Sequence, residues 1–319
     1  MKTNQRTESK GGFPLRSARN QYSSGLLVLL GGLTLAWGFN FTAMKVALSE
    51  IPPLTFRSIC LFFGALTLFA LLRLRGQRLI LPKHQWGRLI ILAISNITCF
   101  HILLVFGLTM IPSGRVAILA FTMPVWATIL SVWILGDHLS VRKVAGLALG
   151  LAGIVLLLGE GIVSLRAAPV GAVLVLVGAF CWGFGTVLQK RYPVDMPISS
   201  YTAWIMLLGS VPMIIGAWLF ENPRALLDVT FWPGMALLYN VVIAFAFAQW
   251  AWLKLAILLP VSVSSLSTLM VPVVGVFSGM LFLNERPSWT EYGALVMVLG
   301  SLISVIMPSG AKQADVGLR

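Results

Sequence analysis

Asparagine, histidine, glutamine and tryptophan standing alone inside long apolar runs are the residues of this chain that could do chemistry. The chemistry open to them is hydrogen bonding, ring stacking and proton exchange. Asn40 follows Trp37 by three positions, so on a helix the two share a face. An amide there can bind a solute while the indole covers the solute's apolar part; equally, Asn40 can join a neighbouring helix while Trp37 fills space. Trp182, Thr186 and Gln189 form a similar stripe at spacings of four and three, with Gln189 towards the helix end. His101 is the one histidine well inside an apolar run. Its ordinary pKa of about 6.5 lets the ring exchange a proton near neutral pH; a neutral ring hydrogen-bonded to a backbone or hydroxyl oxygen is the alternative.

Thr122 and Trp126 flank Pro124, and Ser265 and Thr268 precede Pro272. Proline frees an upstream carbonyl, so these segments can bend and bare backbone oxygen, although small hydroxyl residues also serve close packing. Gln249 and Trp250 complete the candidate substrate-binding set. Lys45, Arg57 and Lys190 invite an anion-binding reading, but each sits near a helix end, where snorkelling or a helix C-terminus explains it. All the acidic residues lie outside the central apolar segments, so no buried carboxylate relay is expected. No nucleotide-binding loop or His-Glu-x-x-His pattern occurs, and no catalytic residue, metal or cofactor is expected. Cys60, Cys99 and Cys181 match neither a disulfide framework nor a zinc site and read as packing residues.

The elements that must hold these side chains follow from composition. The chain is 58% hydrophobic and 10% charged, whereas a soluble domain carries roughly a quarter charged residues. Its apolar stretches reach the roughly 20 residues needed to cross a bilayer, and lipid-exposed backbone must bond within its own helix. Spans are expected near 25–46, 54–72, 87–108, 112–134, 141–159, 169–189, 199–220, 233–253, 260–283 and 288–307. Short connections leave no room for an extramembrane domain.

The net charge of +13 is dispersed through short loops, which argues against nucleic-acid binding. Arg73, Arg75, Arg88, Arg142, Lys143 and Lys254 fall on the side of the basic tail, against Arg166, Arg224 and Arg286 opposite. By the positive-inside rule both termini are then cytoplasmic. The basic start resembles a signal peptide, but the apolar run behind it is too long, so a retained tail is expected.

The chain also repeats itself. Trp37-Gly38-Phe39 recurs as Trp182-Gly183-Phe184, and Lys45 meets Lys190 and Pro52 meets Pro197 at the same separation of 145. At a separation of 148, Pro112 meets Pro260, Pro124 meets Pro272, Asp137 meets Glu285, and His101 meets Gln249. Five helices per copy is an odd number, so the copies must enter the membrane from opposite sides. The expectation is an all-α membrane protein of ten transmembrane helices in two inverted five-helix repeats: a tail over 1–24, repeats over 25–159 and 169–307, and a tail over 308–319. His101 and Gln249 could then face one another across a pseudo-twofold axis. The GxxxG spacings Gly146 to Gly150 and Gly275 to Gly279 suggest close helix contacts.

The Trp37-Gly38-Phe39-Asn40-Phe41 segment up to Lys45, Pro53 to Arg57, Gly136-Asp137-His138-Leu139-Ser140 and Asn284-Glu285-Arg286-Pro287-Ser288 together resemble the drug/metabolite transporter superfamily, in its EamA-type ten-helix branch. The resemblance covers nearly all of 25–307. It implies a bacterial inner-membrane carrier, often an exporter of amino acids, other metabolites or toxic compounds. It also implies a central cavity enclosed by helices one to four and six to nine, with five and ten peripheral. Two departures are Asp137 where the family often has glutamate, and Gly185 opposite Asn40. The expected partners are a small-molecule solute and the lipid bilayer, with the chain a monomer or homodimer. An intramembrane enzyme acting on a lipid or small molecule is the rival; a receptor or scaffold would need a signalling domain or long loop.

Overall fold

The computed structural model describes residues 24–77, 79, 83–163, 168–258 and 261–306, with backbone alone at 24, 83, 160–163, 168–169, 223, 253, 256–258, 261–269 and 305–306. Among the described residues all regular elements are helical. We label them α1 (Ser24–Ala47), α2 (Pro53–Leu74), α3 (Trp86–Met110), α4 (Ser113–Leu135), α5 (Val141–Val163), α6 (Ala168–Arg191), α7 (Ile198–Phe220), α8 (Phe231–Trp252), α9 (Val261–Leu283) and α10 (Trp289–Ile306). Among the residues whose side chains are described, eight segments, in α1 to α8, are long and apolar enough to cross a membrane, and α9 and α10 contribute the shorter apolar stretches Met270–Leu283 and Trp289–Ser304. The expected tails, apart from residue 24, lie outside the described residues.

Local sequence sets the helix ends. Pro52, Pro112 and Pro197 stand at the N-caps of α2, α4 and α7, where a missing N–H costs nothing. Gly136 ends α4 at φ 72° and Asn284 follows α9 at φ 52°. Both occupy the left-handed region that glycine and asparagine tolerate, and they are equivalent positions of the two repeats. The two prolines behave differently. Pro124 sits just past a break in α4, between Ala120 and Met123, whereas α9 continues through Pro272. α3 and α8 each widen into a π-helical segment, over Ala93–Cys99 and Asn240–Phe247.

The repeats interlock. α1 packs on α8 and α9, while α6 packs on α3 and α4, so each half's first helix lies against the other half's third and fourth; α2 packs on α7. α5 and α10 pair through Gly146, Gly150 and Gly153, which bring Ser304, Ser301 and Met297 into close contact. A helix of twenty residues is about 30 Å long, and a loop of a few residues cannot return that distance. The helix ends joined by the α1–α2, α3–α4 and α9–α10 connections therefore share one face, here the glutamate end, and the bonds of Glu221 to Leu54 and of Glu50 to Thr230 bring the longer α7–α8 connection to it. The α2–α3, α4–α5 and α6–α7 connections mark the opposite, basic end.

Candidate functional site

Among the described residues the interior of the bundle is aromatic around one buried arginine. Arg57 on α2 is 1% exposed. Its guanidinium carbon lies 5.7 Å from the Phe245 ring centre on α8 and 5.6 Å from Phe56, and Nη2 meets the Met44 sulfur on α1. The His101 ring lies 6.2 Å from Phe245 on its other contact and 6.4 Å from Trp182. Phe100 stands 4.9 Å from both His101 and Trp182. Trp37 is held by a bond from its Nε1 to the Ala244 carbonyl and rests 5.7 Å from Trp252. Trp37, Trp182 and Phe245 are half-buried, Phe100 and His101 buried, and together they line the middle of the bundle. Buried atoms without partners include Arg57 Nε, Asn40 Oδ1, His101 Nδ1 and Trp126 Nε1, each costly in an apolar interior.

The Asn40 and Gly185 mismatch has a packing cause. A Cβ at Gly185 would lie 2.6 Å from the Asn96 Cβ on α3; the Asn96 amide fills that space and donates to the Trp182 carbonyl at 3.1 Å. The counterpart of Asn96 in the second repeat is Ala244. Both asparagines thus belong to the first repeat, Asn40 on α1 and Asn96 on α3, and neither has an asparagine counterpart in the second.

On α6, Gly183 faces Ala127 and Trp126 of α4, and Gly185 faces Asn96 of α3. Val170, Val173, Val177 and Phe180 are exposed on the outer side. Thr186 lies on the arc between the α3 and α4 sides, opposite that outer stripe, yet it is exposed. It stands one to two turns from Arg191 at the basic end. Its counterpart Phe41, near the glutamate end, is buried.

At the glutamate end, side chains tie helix termini to one another. Glu285 accepts from the Ser113 and Gly114 N–H groups and the Ser113 hydroxyl at the start of α4; Gly279 leaves room for that carboxylate. Glu221 does the same for Leu54 and Thr55 at the start of α2, and Glu50 accepts from the Thr230 N–H and hydroxyl before α8. A carboxylate on these N-termini satisfies orphan donors and meets the positive end of the helix dipole. Lys45 donates to the Leu108 and Ile111 carbonyls at the end of α3, and Arg115 pairs with Glu291 at 2.7 Å. At the basic end Lys190 is exposed and reaches Asp137 at 3.4 Å.

The other candidates scatter. Thr122 is fully buried and donates to the Leu119 carbonyl. Trp126 meets Phe180 edge-on at 5.8 Å. Gln249 Nε2 approaches the Met206 sulfur at 3.7 Å, and no hydrogen bond joins it to His101. Trp250 packs with Phe247 and under Lys254, beside the first half of α1. Ser265 and Thr268 lie outside the residues whose side chains are described. Cys99 and Cys181 meet thiol to thiol. A hollow of about 220 Å³ beside Arg115 and Glu285, and a shallow one of about 380 Å³ between Phe69, Arg73 and Trp204, lie away from the centre.

Sequence reasoning misses Phe245 and misplaces Arg57, which does not snorkel. A signal for Arg57 exists: it shares the stripe of Cys60, Leu61, Gly64, Ala65 and Leu68, all buried, while Phe63 and Leu66 face outward.

The EamA-like transporter family model matches residues 23–159 and again 169–307. YoaV, an uncharacterized transporter of Bacillus subtilis, is 31% identical, with 89% of this chain and 99% of that protein aligned. A protein of Escherichia coli named "Probable amino-acid metabolite efflux pump" is 25% identical, over 92% of this chain and 98% of its own. The inner membrane transporter YedA of Escherichia coli is 26% identical, over 88% and 92%. A solved crystal structure shares the fold at TM-score 0.62 and 20% identity, covering 89% of this chain and 98% of its own.

Proposed function

Because the chain belongs to the EamA-like transporter family, we propose that it exports a small organic metabolite, an amino acid or related compound, or a drug, across a bacterial inner membrane by alternating access. The family and the relatives' names point to a membrane transporter and away from an enzyme. The export reading draws on the relative named as an efflux pump, and the inner-membrane reading on YedA.

The observation that carries the mechanism is the unequal state of the two ends. Carboxylates and Lys45 tie down the helix termini at one end, while Thr186 is exposed on the inward arc near the other. With the basic residues cytoplasmic, this state faces inward, ready to take solute from the cell. Two oppositely oriented five-helix repeats supply the second state: Asp137 and Lys190 take up the capping roles of Glu285 and Lys45, and the glutamate end opens. No covalent chemistry is required. Trp37, Asn40, His101, Trp182 and Thr186 are the side chains we place along the solute's path.

The test is counterflow of an amino-acid panel in proteoliposomes, using a cysteine-free protein carrying Glu50→Cys and Thr230→Cys. Oxidation should staple the glutamate end and abolish flux, and reduction should restore it. Full flux through the stapled protein would refute alternating access at this end.

A further inference from the structure

Arg57 is a cation without an anion. Among the described residues no carboxylate pairs with it, its Nε has no partner, and its neighbours are a thioether and two aromatic rings. Four carboxylates at that end are committed elsewhere. Glu50 and Glu221 hold the starts of α8 and α2, Glu285 the start of α4, and Glu291 is paired with Arg115. A buried guanidinium satisfied only by ring faces and sulfur is expensive to keep in a low-dielectric interior. A planar fork of donors is also the geometry that receives a carboxylate in two parallel bonds. The second repeat has no equivalent: the counterpart position is Thr202, whose hydroxyl is exposed and bonds its own helix at Ile198.

Resting on the carrier reading above, we propose that Arg57 is the anion-receiving residue of the transport site, and that the solute carries a carboxylate. Arg57 sits one turn inside the glutamate end and reaches the Phe245 ring, so it forms the far wall of a path entered from the basic end. A solute's carboxylate would displace Met44 and Phe56 from the guanidinium. Its apolar body would lie against Phe245 and Trp182. Asn40, one turn from Met44 on α1, offers the unfilled acceptor Oδ1 to a neighbouring ammonium.

The full-length protein in nanodiscs, read by its tryptophan fluorescence, tests this with three probes of one shape: L-leucine, its amide, and isocaproate, which keeps the carboxylate and lacks the amine. Leucine and isocaproate should give saturable changes, with the amide at least about tenfold weaker, the loss of one charge-assisted pair. Arg57→Gln should erase that preference, and Arg57→Lys should retain part of it. Equal affinity for leucine and its amide, or no saturable response to either carboxylate, would overturn the anion site, and neither result depends on a variant folding. The same solutes in proteoliposome counterflow separate the two readings. Flux that ignores the carboxylate sinks the Arg57 assignment and leaves the carrier standing. Carboxylate binding without any flux does the reverse.

Discussion

At the glutamate end Lys45 donates to two carbonyls that close α3, whereas its counterpart Lys190 at the basic end is exposed and holds Asp137 at 3.4 Å. Glu285 caps α4 with both oxygens, whereas among the described residues its counterpart Asp137 has only that loose contact. Phe41 is buried, whereas Thr186 is not. Equivalent residues in a duplicated chain therefore do unequal work in one conformation. A pair of like halves need not be alike at any moment.

The largest effect that would sharpen this contrast is chemical access. In a cysteine-free background, Thr186→Cys should react with a water-soluble maleimide more than about tenfold faster than Phe41→Cys, since one side chain is open and the other needs local opening. Comparable rates would erase the difference between the ends. Next comes the packing swap. Gly185→Asn should destabilise the protein by about 1–3 kcal/mol through overpacking against Asn96, and adding Asn96→Ala should recover most of that loss. Additive thermal shifts would show that the two sites are independent.

A smaller effect is expected at the caps. Glu285→Gln leaves two backbone donors with a weaker acceptor, at about 1–2 kcal/mol, and should speed labelling of Ile118→Cys several-fold, while Asp137→Asn leaves that rate unchanged. Equal responses would break the argument for a locked end. The smallest is the lysine pair: Lys45→Met should lower the melting midpoint by about 2–4 °C, for roughly 1 kcal/mol, and Lys190→Met by less than about 1 °C.

Much of this architecture is legible in the sequence alone. Apolar runs and proline positions locate the helices to within a few residues, and the constant separations expose the duplication. Which helices touch is not legible. Separation within a repeat says nothing about α1 lying on α8 and α9, and so nothing about Phe245 standing between Arg57 and His101. Arg57 itself is misjudged from sequence when its distance from the helix end outweighs its place on the buried stripe. Thr122 looks available beside Pro124, but the hydroxyl turns back to the Leu119 carbonyl, a local bond that a side-chain inventory does not predict.

The widened turns of α3 and α8 carry a historical consequence. Ala93–Cys99 and Asn240–Phe247 fall at matching places when the third helices are superposed by their sequence offset. An extra residue in a helix disturbs every neighbour beyond it, so acquiring the same insertion twice requires two costly events, and inheriting it requires one. Parsimony therefore favours an irregularity that preceded the doubling and was copied with it.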